Sequence, residues 1–414
     1  MPGNIERISE SLTRHRDFMR LWSAQAVSSI GARVAREGLP LTAVLVLHAP
    51  PVALGLLAAA RAAPSMIVGI LGGTLVDRIR RRPVLIAADL GRAAVLLVVP
   101  WAAFNHRLNI AEVFFAAAVI GGLNDLYDIA DHAYLPTLVE RDLILAANAR
   151  LSASESAAEI GGPALAGALV SLLTAPIALL ANIVTYLASA TLLAGIRHRE
   201  PRPSGAKARI SPAGLMAGFA IAWRTPAVRP LMLSEFTSSL FGGGFSALYV
   251  IFAIDALKLT PAMLGITVAV GGAGSLIGAA LAGPAIRRIG IGPALIVSWG
   301  ASAAAAMLIP LAAGGPRTAM VMLMAAQLIG DSFGTAALIY AKSVRQSLLP
   351  VEVLGRVGGA FTSGAGLATV AGALVGGELG GAIGMRPTLI VVAAGMLLAL
   401  VPLLLSPLPR LRRL

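Results

Sequence analysis

Gly73-Thr74-Leu75-Val76-Asp77-Arg78-Ile79-Arg80-Arg81-Arg82-Pro83 is a short, strongly basic stretch set between two apolar runs, 52 to 74 and 84 to 103. A charged tether this short joins two helices, each with the roughly 20 apolar residues needed to cross a bilayer. Shifting the sequence by 210 positions lays Gly73 on Gly283, Arg78-Ile79 on Arg288-Ile289, Pro83 on Pro293 and Leu85-Ile86 on Leu295-Ile296. The same shift places Leu54-Gly55 on Leu264-Gly265. One constant offset held over about thirty positions marks an internal repeat.

The rest of the chain is built for lipid. Hydrophobic residues make up 57% of the 414 and charged residues 13%, against roughly half and a quarter in soluble domains. The apolar runs fall at 18–47, 52–74, 84–103, 111–133, 145–173 and 176–196, then at 228–254, 261–283, 293–312, 317–340, 356–380 and 386–406. Between the sets, Pro201, Pro203, Ser204, Gly205, Lys207 and Pro212 read as a linker. The expected fold is an all-α membrane protein of twelve transmembrane helices in two pseudo-symmetric six-helix bundles, 1–196 and 228–414, joined by a cytoplasmic linker, 197–227. Parallel repeats of this kind place a substrate site between the halves near the midplane.

Charge sets the expected orientation. With the N-terminus inside, the basic residues of Arg78 to Arg82, Arg197 to Arg209, Arg287-Arg288 and Arg410 to Arg413 are cytoplasmic, and only Arg107, Lys258, Arg317 and Arg386 lie opposite. That asymmetry is the positive-inside pattern. It also accounts for the net charge of +13 without nucleic acid, since the basic residues sit in loops rather than along one face. Both termini are expected in the cytoplasm of a cell with this protein in its inner membrane. The chain has no cysteine, so disulfides, thiolate metal sites and a cysteine nucleophile are excluded. No phosphate-binding G-x-x-x-x-G-K-[ST] loop is present, which argues against ATP-driven work by this chain.

Ionisable residues inside a span are costly and mark function. They concentrate in the first half: Arg33, Arg36 and Glu37 on the first span, Asp125, Asp128 and Asp131 on the fourth, Glu155 and Glu159 on the fifth. At about 1.5 Å per residue, Arg33, Asp125 and Glu159 reach the same depth, with Arg36 and Glu37 slightly outward and Asp128 and Glu155 slightly inward. Carboxylates sharing a site with arginines can pair and still leave one group free to take a proton. Arg61, Asp89 and Arg92 read as framework charges. In the second half Gln327 and Asp331 are the polar residues at mid-depth, opposite an apolar wall of Phe236, Phe241, Phe245 and Tyr249. A metal held by Asp125, Asp128 and His132 is disfavoured by the neighbouring arginines.

The loop from Gly73 to Pro83 resembles the major facilitator superfamily signature G-x-L-x-D-R-x-G-R-R/K, with Arg80 in place of the second glycine. Gly162-Pro163-Ala164-Leu165-Ala166-Gly167 resembles the G-P-x-x-G-G element of that superfamily's antiporters, with Ala166 replacing one glycine. Phe18-Met19-Arg20-Leu21-Trp22, Asp89-Leu90-Gly91-Arg92 and Leu135-Pro136 are similar to the macrolide-efflux and enterobactin-exporter group. The resemblance implies a conformational latch of Gly73, Asp77, Arg78 and Arg81, in which Asp77 meets the start of the eleventh helix and holds the outward-open arrangement. Gly162, Pro163 and Gly167 are expected to permit close helix packing.

The function expected from these features is secondary active transport: proton-coupled export of amphipathic organic compounds by alternating access, with Arg33, Arg36, Glu37, Asp125, Asp128, Glu155, Glu159 and Asp331 as coupling or substrate residues. The alternatives are a lysophospholipid or other lipid carrier of the same fold, and a non-transporting membrane sensor. The expected partners are a small-molecule substrate, protons and membrane lipid. No cofactor, metal or nucleic acid is called for, no enzyme chemistry is indicated, and a monomer suffices.

Overall fold

The computed structural model describes residues 12–76, 79–140, 142–198, 200 and 212–412. Six long helices come first: α1 (Arg16–Leu45), α2 (Pro51–Val76), α3 (Arg81–Phe104), α4 (Ile110–Leu138), α5 (Ile144–Leu172) and α6 (Ala175–Ala194). The stretch read as a linker contains a helix of its own, α7 (Pro212–Arg224). Six more follow: α8 (Val228–Ile251, ending in a π-turn), α9 (Pro261–Ile289), α10 (Ile291–Ala306, continued by Leu308–Leu311), α11 (Pro316–Leu348), α12 (Val351–Ala382) and α13 (Met385–Leu397, continued by Leu400–Leu404). Among the described residues there is no strand.

Among the described residues, nine of these helices are long and apolar enough to cross a membrane. In α1 and α5 the run is broken by Arg33, Arg36, Glu37, Glu155 and Glu159, the charges expected to carry function, and α2 contributes the apolar stretch Pro51–Pro64. The ends are set by ordinary capping chemistry. At α4, Asn109 accepts the Ala111 N–H at 2.8 Å while Glu112 accepts the Asn109 N–H at 2.8 Å, a reciprocal capping box. Thr260 accepts the Met263 N–H at the start of α9, followed by Pro261 in the first turn.

The repeat is geometrical as well as sequential. Pro51 and Pro261, Arg81 and Ile291, Ala175 and Met385 each open a helix, and members of each pair are 210 residues apart. Even the turns repeat: His48 and Lys258 take φ of 48° and 57°, and Thr174 and Gly384 take φ of 135° and 91°. Packing repeats with them. Contacts of α1 with α6, α2 with α4 and α3 with α4 are matched by α8 with α13, α9 with α11 and α10 with α11.

Between halves the main contacts are α2 with α12 and α5 with α9, again a related pair. These seams close on glycine. A Cβ built on Gly55 would lie 2.8 Å from Gly377 Cα, and one on Gly265 would lie 3.1 Å from Gly167 Cα. Gly55 and Gly265 are repeat mates, as are Gly167 and Gly377. Lipid offers no hydrophobic drive for helices to associate, so such small-residue contacts are what let backbones approach.

The apolar cores show which end is joined. At the end away from the termini, one core includes Leu54 and Val170 of the first half together with Leu248, Leu264 and Ala373 of the second. At the termini-bearing end the halves keep separate cores, one around Phe18, Leu85 and Tyr134, the other around Leu231, Tyr340 and Phe361. The halves are therefore packed together at one end and part at the other.

Candidate substrate and coupling site

A cavity of about 540 Å³ lies between the halves, lined by α1, α2, α3, α4, α5, α8, α9 and α11. That volume suits a drug-sized ligand. Its first-half wall carries Arg33, Arg36, Glu37, Arg61, Arg92, Asp125, Asp128 and Glu155; the facing wall offers Ser246, Tyr249, Val250, Val268 and Gln327. Of the four aromatics expected on that wall, Tyr249 alone is among the lining residues. Phe236 stacks edge-on between Phe219 and Phe361, at 6.1 and 6.3 Å, and Phe241 packs on Gly395. The facing wall is correspondingly more polar than the sequence suggested.

Spacing accounts for the charged wall. Residues three and four apart share a helical face, so Arg33, Arg36 and Glu37 turn to the cavity from α1, and Asp125 and Asp128 from α4. Arg33 crosses to α5, where Nη1 donates to Glu159 Oε1 at 2.8 Å and Nη2 pairs with Oε2. Arg36 Nη1 lies 3.8 Å from the same carboxylate. Gly162 makes that crossing possible: a Cβ there would come 2.8 Å from Arg33 Cγ. The element Gly162-Pro163 to Gly167 thus serves two contacts at once, Arg33 at Gly162 and the seam with α9 at Pro163 and Gly167.

Behind Arg92, which reaches the cavity wall, Asp89 completes a buried ion pair, the two residues 0% (Asp89) and 2% (Arg92) exposed. Arg92 Nη1 donates to Asn124 Oδ1 at 2.8 Å, and its guanidinium lies 4.4 Å from the Tyr127 ring centroid and 4.5 Å from that of Tyr186. Ser28 donates to Asp89 Oδ1 at 3.2 Å and closes the network. The pair, Asn124, Ser28 and the two rings neutralise most of this buried charge, although Asp89 Oδ2 and Arg92 Nε have no hydrogen-bond partner within the described residues.

Three placements depart from what the sequence suggested. Arg61, read as a framework charge, lines the cavity. Asp331 lines a second, smaller cavity while Gln327 lines the central one, although both side chains lie against Gly271 of α9. Arg81 binds the linker: its guanidinium lies 3.1 Å from Glu200 Oε1, and its backbone N–H donates to Glu200 Oε2 at 2.7 Å. Glu200 therefore sits as an anion at the N-terminus of α3, where free N–H groups favour negative charge. Glu200 carried no sequence signal, because it lies in the linker and meets Arg81 across 119 residues. Gly73 lies in the last turns of α2; Asp77 and Arg78, the other latch residues, lie outside the described residues.

With this geometry in view, the Major Facilitator Superfamily family model matches residues 21–346. The chain is similar over most of its length to the Uncharacterized MFS-type transporter YfiS of Bacillus subtilis (strain 168), at 26% identity over 407 residues, 94% of this chain and 92% of that protein. It is 27% identical over 358 residues to the Multidrug efflux pump Tap of Mycobacterium tuberculosis (strain ATCC 25618 / H37Rv), covering 82% of this chain and 81% of the pump. Its fold is that of a bacterial homologue of the iron transporter ferroportin in the inward-facing state, with a TM-score of 0.70 at 17% identity, covering 93% and 98% of the two chains. Two repeated bundles, a cavity between them and a family match over most of the chain lead to one conclusion: this is a multi-span membrane transporter, not an enzyme, and it belongs to the major facilitator superfamily.

Proposed function

We propose that the transporter exports amphipathic organic compounds in exchange for protons, with Glu159 as the central proton-responsive group. The observation that carries this reading is the pair by which Arg33 and Arg36, which line the cavity from α1, reach Glu159 of α5, itself not among the lining residues. Ionised, Glu159 ties α1 to α5. Protonated, it loses the charge that holds the two arginines and frees them for the other carboxylates, Glu37, Asp125, Asp128 and Glu155. The Glu159 backbone faces α9, since a Cβ on Gly272 would lie 3.0 Å from its carbonyl oxygen. Loss of the pair is therefore felt at the seam that closes one end, the coupling that alternating access requires.

The mixed cavity, charged on one wall and partly apolar on the other, suits a compound with a polar end and an apolar body. The name of the relative Tap, a multidrug efflux pump, agrees with that class. The direct test is a proteoliposome assay with ethidium as the probe. Substrate-dependent proton movement, and ethidium transport driven by an imposed pH gradient, are expected. Ethidium movement without proton movement would overturn the coupling.

In this reading both termini are cytoplasmic and the structure is open to the cytoplasm, because the joined end is the one away from them. Absence of native cysteine makes the orientation simple to check. Single cysteines replacing Ser204 and His106 are expected to react with impermeant maleimide from opposite sides of the membrane, Ser204→Cys from the cytoplasm. Labelling of both from one side would refute the arrangement.

A further inference from the structure

The cavity holding Asp331 lies within the second half, between α8, α10, α11 and α13, with a volume of about 240 Å³. Its lining is the repeat mate of the buried Arg92 network. Shifted by 210, Ser28 falls on Ser238, Asp89 on Trp299, Arg92 on Ser302, Asn124 on Gly334, Tyr127 on Ala337 and Tyr186 on Met396. In the first half this slot is filled by a guanidinium, sandwiched by two aromatic rings and neutralised by a carboxylate. In the second half Ser302, Gly334 and Ala337 are too small to fill it, and the space remains.

What surrounds that space still suits a cation. Asp331, whose Oδ2 lies against Gly271 of α9, borders it together with Trp299 and Ser238. Among the described residues no arginine or lysine forms an ion pair with Asp331, and the charge that reaches it is another anion, Glu159. A carboxylate beside a large aromatic ring binds organic cations through charge and through the ring's negative face. Ser302 keeps its own hydroxyl occupied with the Gly330 carbonyl at 2.9 Å, so the serine does not compete for Asp331.

We propose that this second-half pocket binds the amidinium, guanidinium or amine end of an organic cation, held by Asp331 and Trp299 where the first half holds its own Arg92. The binding does not depend on the proton coupling above. The test is equilibrium dialysis of benzamidine with the purified full-length protein, with neutral benzamide as the control. Saturable benzamidine binding is expected, at least tenfold tighter than benzamide, and at least tenfold weaker in Asp331→Asn. Ser302→Arg should abolish it by restoring the side chain that fills the equivalent slot. If Ser302→Arg does not yield folded protein, Ala337→Leu narrows the same space without charge and should likewise cut binding at least tenfold. No saturable binding, equal binding of benzamide, or undiminished binding to Asp331→Asn or to a folded filling variant would each overturn the proposal.

Discussion

Glu159→Gln is expected to reduce proton-driven accumulation to background in inverted vesicles while leaving exchange of substrate for substrate. The amide conserves volume and mimics the protonated acid, so the binding cavity survives but the group can no longer change charge. Charge-assisted bonds to arginine are about twice as strong as neutral ones, and Arg33 makes two of them to this carboxylate. Glu37 also lies in the field of Arg33, Arg36 and Arg61, but Glu159 is the carboxylate that Arg33 holds through both oxygens. Glu37→Gln, Asp125→Asn and Asp128→Asn are accordingly expected to have smaller effects on gradient-driven uptake. Full pH-driven uptake by Glu159→Gln would remove Glu159 from the mechanism and reduce its pair with Arg33 to a helix tie. A merely structural tie would also fail to separate the two assays, since exchange and accumulation would fall together.

The second large effect is expected at the seam between the halves. Gly167→Val should lower transport more than tenfold and leave the protein folded but biased away from the arrangement described here. A Cβ at Gly167 would stand 3.1 Å from Ala262 Cα, so the larger side chain fits only if α5 and α9 separate. Overpacking typically costs about 1–3 kcal/mol, and every ~1.4 kcal/mol is a tenfold change in an equilibrium. That cost falls on the state in which this end is closed and spares the state in which the helices have parted. A single cysteine at Ser246, on the cavity wall, should then become reactive from the side away from the termini. Gly161→Val is the matched control, because nothing lies within 4 Å of a Cβ there. Unchanged transport by Gly167→Val would show that the seam yields without cost.

The division between what was legible and what was not follows the physics of helices in lipid. Hydropathy alone located each helix, because each crossing must satisfy its backbone internally, although α9 and α11 run six and eight residues past the ends read at 283 and 340. The 210-residue offset foretold paired architecture down to the glycines: Gly55 and Gly265, aligned in the sequence, occupy equivalent seams in the structure. Intramembrane charge named Arg33, Arg36, Glu37, Asp125, Asp128 and Glu155 as neighbours, and all six line one cavity. Their roles in coupling remain the proposal tested above.

The sequence by itself therefore determined helices and repeat, since these depend on composition and on periodicity along the chain. Tertiary structure alone decided which faces meet. Helical periodicity says which residues share a side but not what that side touches. Hence Arg33 met Glu159 across 126 residues, Arg81 turned to Glu200, Arg61 reached the cavity, and Asp331 came to line a second, smaller one. The filled slot around Arg92 and its open counterpart around Ser302 were aligned in the sequence from the start. Only side-chain volumes packed in three dimensions made one a buried ion pair and the other a cavity.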